Sequence, residues 1–189
     1  MDGSTLWSSS GVLRTEWVGG QPTIKLTTAG PSQLYFDINF APQNMTLYAK
    51  FKQGSGMGDF DAVFQVGSTS ATADPRWAAW SDGTYYTCQY DNGSAAATAT
   101  LSAAPSTGDT VEIRAVLLGS GNVELHQSVN GGAETTATSS STAVTLSSTW
   151  AASKLWVGCR GANAHASMNV YAVKVHTGTR SLDYMRALS

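Results

Sequence analysis

The sequence predicts an all-β sandwich with a short C-terminal helix. Three observations lead there. Short β-branched and aromatic segments recur between Gly, Pro, Asn, Asp and Ser clusters. Within many of them apolar and polar residues alternate, the period of a strand with one buried face. The chain of 189 residues also has the length of one ordinary domain, large enough to bury a core without disulfide or metal support.

Each element follows in chain order. TIKLT, QLYFDINF, MTLYAKFK, DAVFQVG, RWAAW and YYTCQY are expected strands, as are VEIRAVLL, NVELHQSV, KLWVG and MNVYAVKV. SAAATATLSAAP is alanine-rich, yet its alternating Thr, its brevity and the flanking Asn-Gly and Pro favour a strand over a helix. Residues 131–149, rich in Ser, Thr and Ala, read as an edge strand with loops. Ser181 is placed to cap a terminal helix from Leu182 to Leu188, with Leu182, Met185 and Leu188 along one side. The expected organisation is an N-terminal arm over residues 1–11, the sandwich over 12–178 and a helical tail over 179–189.

Two hairpins can be registered from pattern. In RWAAWSDGTYYTCQY, a two-residue Asp82-Gly83 turn sets Trp80 opposite Tyr85, Ala78 opposite Thr87 and Arg76 opposite Gln89, with Trp77 facing Cys88. Trp77, Ala79, Tyr86, Cys88 and Tyr90 then form an apolar face, while Trp80 and Tyr85 fall on the other as a cross-strand aromatic pair. In the second hairpin, Leu117 opposite Val123 across the loop LGSGN collects Val111, Ile113, Ala115, Leu117, Val123, Leu125 and Val129 on one side. Glu112, Arg114, Glu124 and His126 share the opposite, solvated side.

Chemistry is harder to find. With 11 basic and 13 acidic residues there is no positive field for nucleic acid, and the short apolar runs predict no membrane insertion. His126, His165 and His176 lack zinc-ligand spacing, and no cofactor is expected. Glu16, Glu112, Glu124 and Glu134 never form the close carboxylate pair that glycoside hydrolysis needs, and no serine sits in a nucleophile elbow. Asp59 and Asp61 in GMGDFDA would share one face of a strand and are the weak candidates for calcium. The opening MDGSTLWSSSG has neither the basic nor the apolar region of a secretory signal, so the Asn44-Met45-Thr46 and Asn92-Gly93-Ser94 sequons carry no weight. Cys88 and Cys159 read as small buried hydrophobes, a bridge between them being the alternative.

From about Leu13 to His176 the order of segments, from LYFDINF and DAVFQVG through WAAWSDGTYY to KLWVGCRG and MNVYAVKVHTG, resembles the concanavalin A-like lectin/glucanase superfamily. The likeness is to its laminin-G-like jelly rolls in bacteriophage tail and virion-surface proteins, and it implies two packed antiparallel sheets with glycan binding as a common use. The E-x-D-x-E strand of the family's glucanases is absent, and so is the paired metal-binding loop of legume lectins.

The function expected is a non-enzymatic structural or decoration protein on the surface of a phage or phage-like particle, assembled in the host cytoplasm. Its partners would be other virion proteins or copies of itself, and a host-surface glycan. A free carbohydrate-binding module or lectin is the alternative. For the glycan, Trp80 and Tyr85 would offer an aromatic platform, with Asp82, Asp91 and Asn92 as polar contacts; the competing reading is a packing pair under a loop. Leu6 and Trp7 of the arm with Leu182, Met185 and Leu188 of the tail are the candidate assembly contacts, self-docking being the alternative.

Overall fold

A computed structural model of the chain describes residues 8–10, 14–18, 21–26, 33–55, 57–67, 74–103, 105–139, 144–152, 154–160 and 164–187. In chain order the strands are β1 (Ser8–Ser10), β2 (Arg14–Val18), β3 (Gln21–Leu26), β4 (Gln33–Asp37), β5 (Met45–Gln53) and β6 (Asp59–Val66). They continue with β7 (Arg76–Asp82), β8 (Tyr86–Asp91), β9 (Ala96–Thr100), β10 (Thr110–Leu117), β11 (Val123–Val129) and β12 (Thr135–Thr138). The last are β13 (Lys154–Val157), β14 (Cys159–Arg160), β15 (Ala164–His165) and β16 (Met168–Thr177), followed by helix α1 (Leu182–Ala187).

These strands form two antiparallel sheets packed as a sandwich. The first runs β1-β4-β13-β6-β7-β8-β9, with β14 and β15 attached beside β6, and the second runs β12-β11-β10-β5-β16-β3-β2. Among the described residues one parallel bridge, His165 to Ala62, departs from the antiparallel rule. The alanine-rich segment is strand β9, the edge of the first sheet, and the Ser/Thr-rich region supplies β12, the edge of the second. Between the sheets lie Leu47, Phe51, Phe64, Trp77, Tyr86, Ile113 and Leu125, all fully buried. Phe64 meets Trp77 edge-on at 5.2 Å and Phe51 meets Tyr86 at 6.3 Å, the tilted geometry that aromatic quadrupoles favour. Cys88 is a free thiol in this core, taking the Trp77 Nε1–H at 3.3 Å. Burial pushes it up to about 12, so it is a protonated packing group. The side chain of Cys159 lies outside the described residues.

The second hairpin has the expected register, Leu117 with Val123 through Val111 with Val129. Its loop closes when Leu118 N donates to Asn122 O at 2.9 Å. Gly121 turns that loop at a φ of 80°, with its backbone against Val144. The side of this hairpin expected to be solvated is instead covered: Glu112, Arg114 and His126 are 5–8% exposed. The tail and the β11–β12 connection fold over it. Arg114 makes a two-pronged pair with Glu134 at 3.0 and 2.9 Å and donates to Arg180 O at 3.0 Å. His126 lies between Thr136 Oγ1 at 2.9 Å and Glu124 Oε2 at 3.1 Å. Burial first, then the Arg114 charge, hold its imidazole below its ordinary range.

Helix α1 begins as the sequence predicts, with Tyr184 N donating to Ser181 Oγ at 3.2 Å. It docks on the second sheet: Met185 is fully buried, Lys174 Nζ donates to the Met185 carbonyl at 2.9 Å, and Arg186 Nε reaches Glu112 Oε2 at 2.6 Å. Met185 is therefore self-docked rather than presented to a partner. Leu182 is half-buried, while Leu6, Trp7 and Leu188 lie outside the described residues.

Two outcomes follow from this packing. Gly121→Ala combines an unfavourable φ with a Cβ that overlaps the Val144 carbonyl, so chemical denaturation should show a loss of at least about 2 kcal/mol. For Glu112, burial alone would raise the pKa, but Arg186 and Lys50 overcome it and the net shift is downward. Its folded value thus lies below its unfolded value, so its contribution is complete above the ordinary glutamate range and is lost as pH falls through the depressed folded value. Thermal midpoints of wild type and Glu112→Gln measured from pH 7 to 3 should converge on acidification.

Candidate functional site

The aromatic hairpin differs from the expected one in a single respect with large consequences. Its turn sits one residue later, at Gly83-Thr84. Asp82 N donates to Tyr85 O at 3.0 Å, while Asp82 Oδ1 accepts from Thr84 N at 2.9 Å and Tyr85 N at 2.6 Å. The aspartate side chain so caps the turn, and Gly83 takes the required positive φ of 87°. Every cross-strand partner moves by two: Trp80 lies opposite Thr87, Ala78 opposite Gln89, Arg76 opposite Asp91 and Trp77 opposite Tyr90. An even shift leaves each side chain on its expected face, so Trp77, Tyr86, Cys88 and Tyr90 are core as foreseen.

The aromatic platform does not form. Trp80 is 7% exposed and packs with Ala62 and Ala78, while Tyr85 is 38% exposed at the turn. Nor do the polar residues gather. Asp82 lies at one end of β8 and Asp91 with Asn92 at the other, about 20 Å away along six strand residues. Asp91 pairs with Arg76 at 3.2 Å and accepts from Gly93 N at 2.9 Å. Asn92 Oδ1 accepts from Ser94 N and Ala95 N, and its Nδ2 donates to Thr145 O at 3.0 Å. These side chains hold turns. For the paired aspartates, the β6–β7 pairing has a bulge between Asp59 and Asp61, and Asp61 Oδ2 accepts from Gly58 N at 2.8 Å, while the side chain of Asp59 lies outside the described residues. Among the described residues no group of three His, Cys, Asp or Glu is placed to hold a metal.

The structure offers a different concavity, a cleft of about 310 Å³ where the edges of the two sheets meet. One wall is the loop after β9, with Ala103, Pro105, Ser106 and Asp109. The other is Gln127 and Val129 of β11, with Ala133 and Thr135 at the entry to β12. The loop wall is tied to the core: Tyr86 OH donates to Gln53 Oε1 at 2.9 Å, and Gln53 Nε2 donates to Pro105 O at 2.9 Å. Gln53 N donates in turn to Asp109 O at 2.9 Å. Asp109 accepts from Asn130 Nδ2 and from Ser106 N, both at 2.8 Å. Those bonds, the Asn130 one foremost, hold its carboxyl below the usual range and keep it ionised.

Gln127 is the unusual member. It faces inward in line with Leu125 and Val129, is 5% exposed, and its Oε1 is enclosed without a hydrogen-bond partner. An enclosed amide oxygen left unpaired costs roughly 1–3 kcal/mol. The signal was present in the sequence as a glutamine on the apolar side of VELHQSV. The cleft shares an end of the sandwich with Tyr85, because Leu101 N, just before the loop wall, donates to Tyr86 O at 3.0 Å.

No family model matches the chain and no curated protein matches it. Solved structures do resemble it in shape. Full-length tailspike protein 2 of an Escherichia coli O157:H7 bacteriophage superimposes with a TM-score of 0.72 at 14% identity, over 96% of this chain and 26% of the tailspike. A structure concerning botulinum neurotoxin type C, whose cell entry depends on two ganglioside molecules, gives 0.69 at 9% identity over 97% of this chain and 46% of that neurotoxin chain. The CBM40 of the Ruminococcus gnavus IT-sialidase, bound to α2,3-sialyllactose, gives 0.58 at 13% identity over 78% of this chain and 83% of that module. The chain thus spans about a quarter of the tailspike chain and less than half of the neurotoxin chain that it matches. At these identities the likeness establishes the sandwich fold.

The buried state of Trp80 fits the packing alternative rather than the platform. Trp80→Ala should cost about 3–5 kcal/mol in a denaturant titration, as a core truncation does. Tyr85→Ala should stay within about 0.5 kcal/mol of wild type.

Proposed function

We propose that this chain is a non-catalytic, concanavalin A-like glycan-binding sandwich displayed on the surface of a phage or phage-like particle. The observation that carries the reading is the superposition of nearly the whole chain on a phage tailspike and on a ganglioside-dependent toxin. The sialyllactose-bound CBM40 adds a third neighbour of that kind. Its glycan-facing end would be the one that carries Tyr85, whose exposed ring suits the apolar C–H face of a sugar. Affinity from one shallow contact is modest, and display of many copies supplies the firm attachment.

A free carbohydrate-binding module is the second reading. It is favoured by one observation, that the chain covers 83% of CBM40, a unit of similar extent. Mass spectrometry of purified particles separates the two, since only the first reading places the chain among their proteins.

A glycan array probed with the chain clustered on beads should show selective binding and no release of reducing sugar. Tyr85→Ala should weaken that binding about tenfold while the protein stays folded. An array without any ligand, or turnover that disappears with one carboxylate, would sink the proposal.

A further inference from the structure

We propose that the cleft between the loop after β9 and the β11–β12 edge holds one ring of a neutral saccharide, with Gln127 and Asp109 as its hydrogen-bonding residues. This rests on the glycan-binding reading and adds where the sugar sits and of what class it is.

Three observations carry it. The first is Gln127, buried and inward-facing, with its Oε1 unpaired beneath the cleft. The last torsion of a glutamine is broad, so either end of the amide can turn to a hydroxyl, which donates and accepts at once. A sugar hydroxyl answers this group as no apolar ligand does. The second is Asp109, whose two oxygens each accept one bond from the protein and keep lone pairs for a ligand donor. It is ionised, and the described residues lining the cleft include no cation. An anionic sugar would meet uncompensated repulsion there, so the site selects hydroxyls and rejects carboxylates. The third is size and lining. About 310 Å³ is the small end of ligand-pocket volumes, room for one ring, and Pro105, Val129 and Ala133 offer apolar surface for its C–H bonds.

The class differs from that of two structural neighbours, which are described with sialyllactose and gangliosides. The distinction is electrostatic and therefore testable. Amide chemical shifts of the full chain would be followed during titration with D-glucose, D-galactose, N-acetylglucosamine and N-acetylneuraminic acid. At least one neutral sugar should move the amides of residues 103, 106–109 and 127–135, and N-acetylneuraminic acid should bind about tenfold more weakly or not at all. Gln127→Leu should raise the thermal midpoint, because it removes an unpaired buried amide, and should weaken binding about tenfold. Asp109→Asn should narrow the gap between neutral and acidic sugars.

Neutral sugars that bind but move amides elsewhere would overturn this site and leave the glycan-binding reading standing. Wild-type affinity in Gln127→Leu, or acidic sugar bound as tightly as neutral, would do the same. An absence of binding to every sugar, on the array and in solution, would overturn both.

Discussion

Trp77 sets the spacing on which the sandwich depends. Its indole is fully buried between the sheets, edge-on to Phe64 and donating to Cys88. Facing sheets stand about 10 Å apart, and only large side chains interdigitated from both inner surfaces fill that gap. Phe51, Phe64 and Tyr86 do so beside Trp77. At the edge the composition changes: β9 turns Ala97 and Ala99 inward, across from β11 and β12. Both alanines are buried there, and the cleft opens just beyond them, where the loop after β9 faces Gln127 and Val129 of β11.

The outer surface of the second sheet follows another logic. Two charges, Glu112 and Arg114, and the imidazole of His126 are buried there, and each is partnered: Glu112 by Arg186 and Lys50, Arg114 by Glu134, and His126 by Thr136 and Glu124. Such pairs add little net stability over apolar packing, yet breaking one leaves an uncompensated charge. Their effect is to fix where the tail lies. Met185 provides the apolar anchor, Lys174 bonds the last carbonyls of α1, and Arg186 sets the rotation about the helix axis through a single carboxylate.

Two-residue periodicity made the fold legible. It assigned faces correctly in both hairpins, and charge on one side of the second pinned its register. In the first hairpin the faces held while the partners slipped by two, because pattern is blind to even shifts. What decided the register was Asp82, acting as a cap on two amides rather than as a turn residue. The site was less legible. Trp80 lies on the outward face but is covered, and burial on that face depends on segments distant in sequence. The polar residues proposed beside it are adjacent to turns at opposite ends of one strand, a separation visible only once β8 has a length. The cover over Glu112 and His126 likewise comes from residues about 10 to 70 positions away.

Gln127 bears on why the cleft would persist. A leucine there would continue the line of Val123, Leu125 and Val129 and remove an unpaired amide oxygen, so stability alone disfavours glutamine. Groups that cost stability without a structural return concentrate where a protein meets its ligand. The surrounding walls are also more constrained than an ordinary surface loop. Gln53 links the Tyr86 hydroxyl in the core to the Pro105 carbonyl and the Asp109 backbone, while Asn130 joins the Asp109 side chain to the turn after β11. Both walls are held before any ligand arrives, which lowers the ordering cost that binding must meet. An unpaired amide oxygen in a fixed frame, lining the same cleft as a carboxylate with lone pairs to spare, is the hydrogen-bonding capacity that the proposed sugar would use.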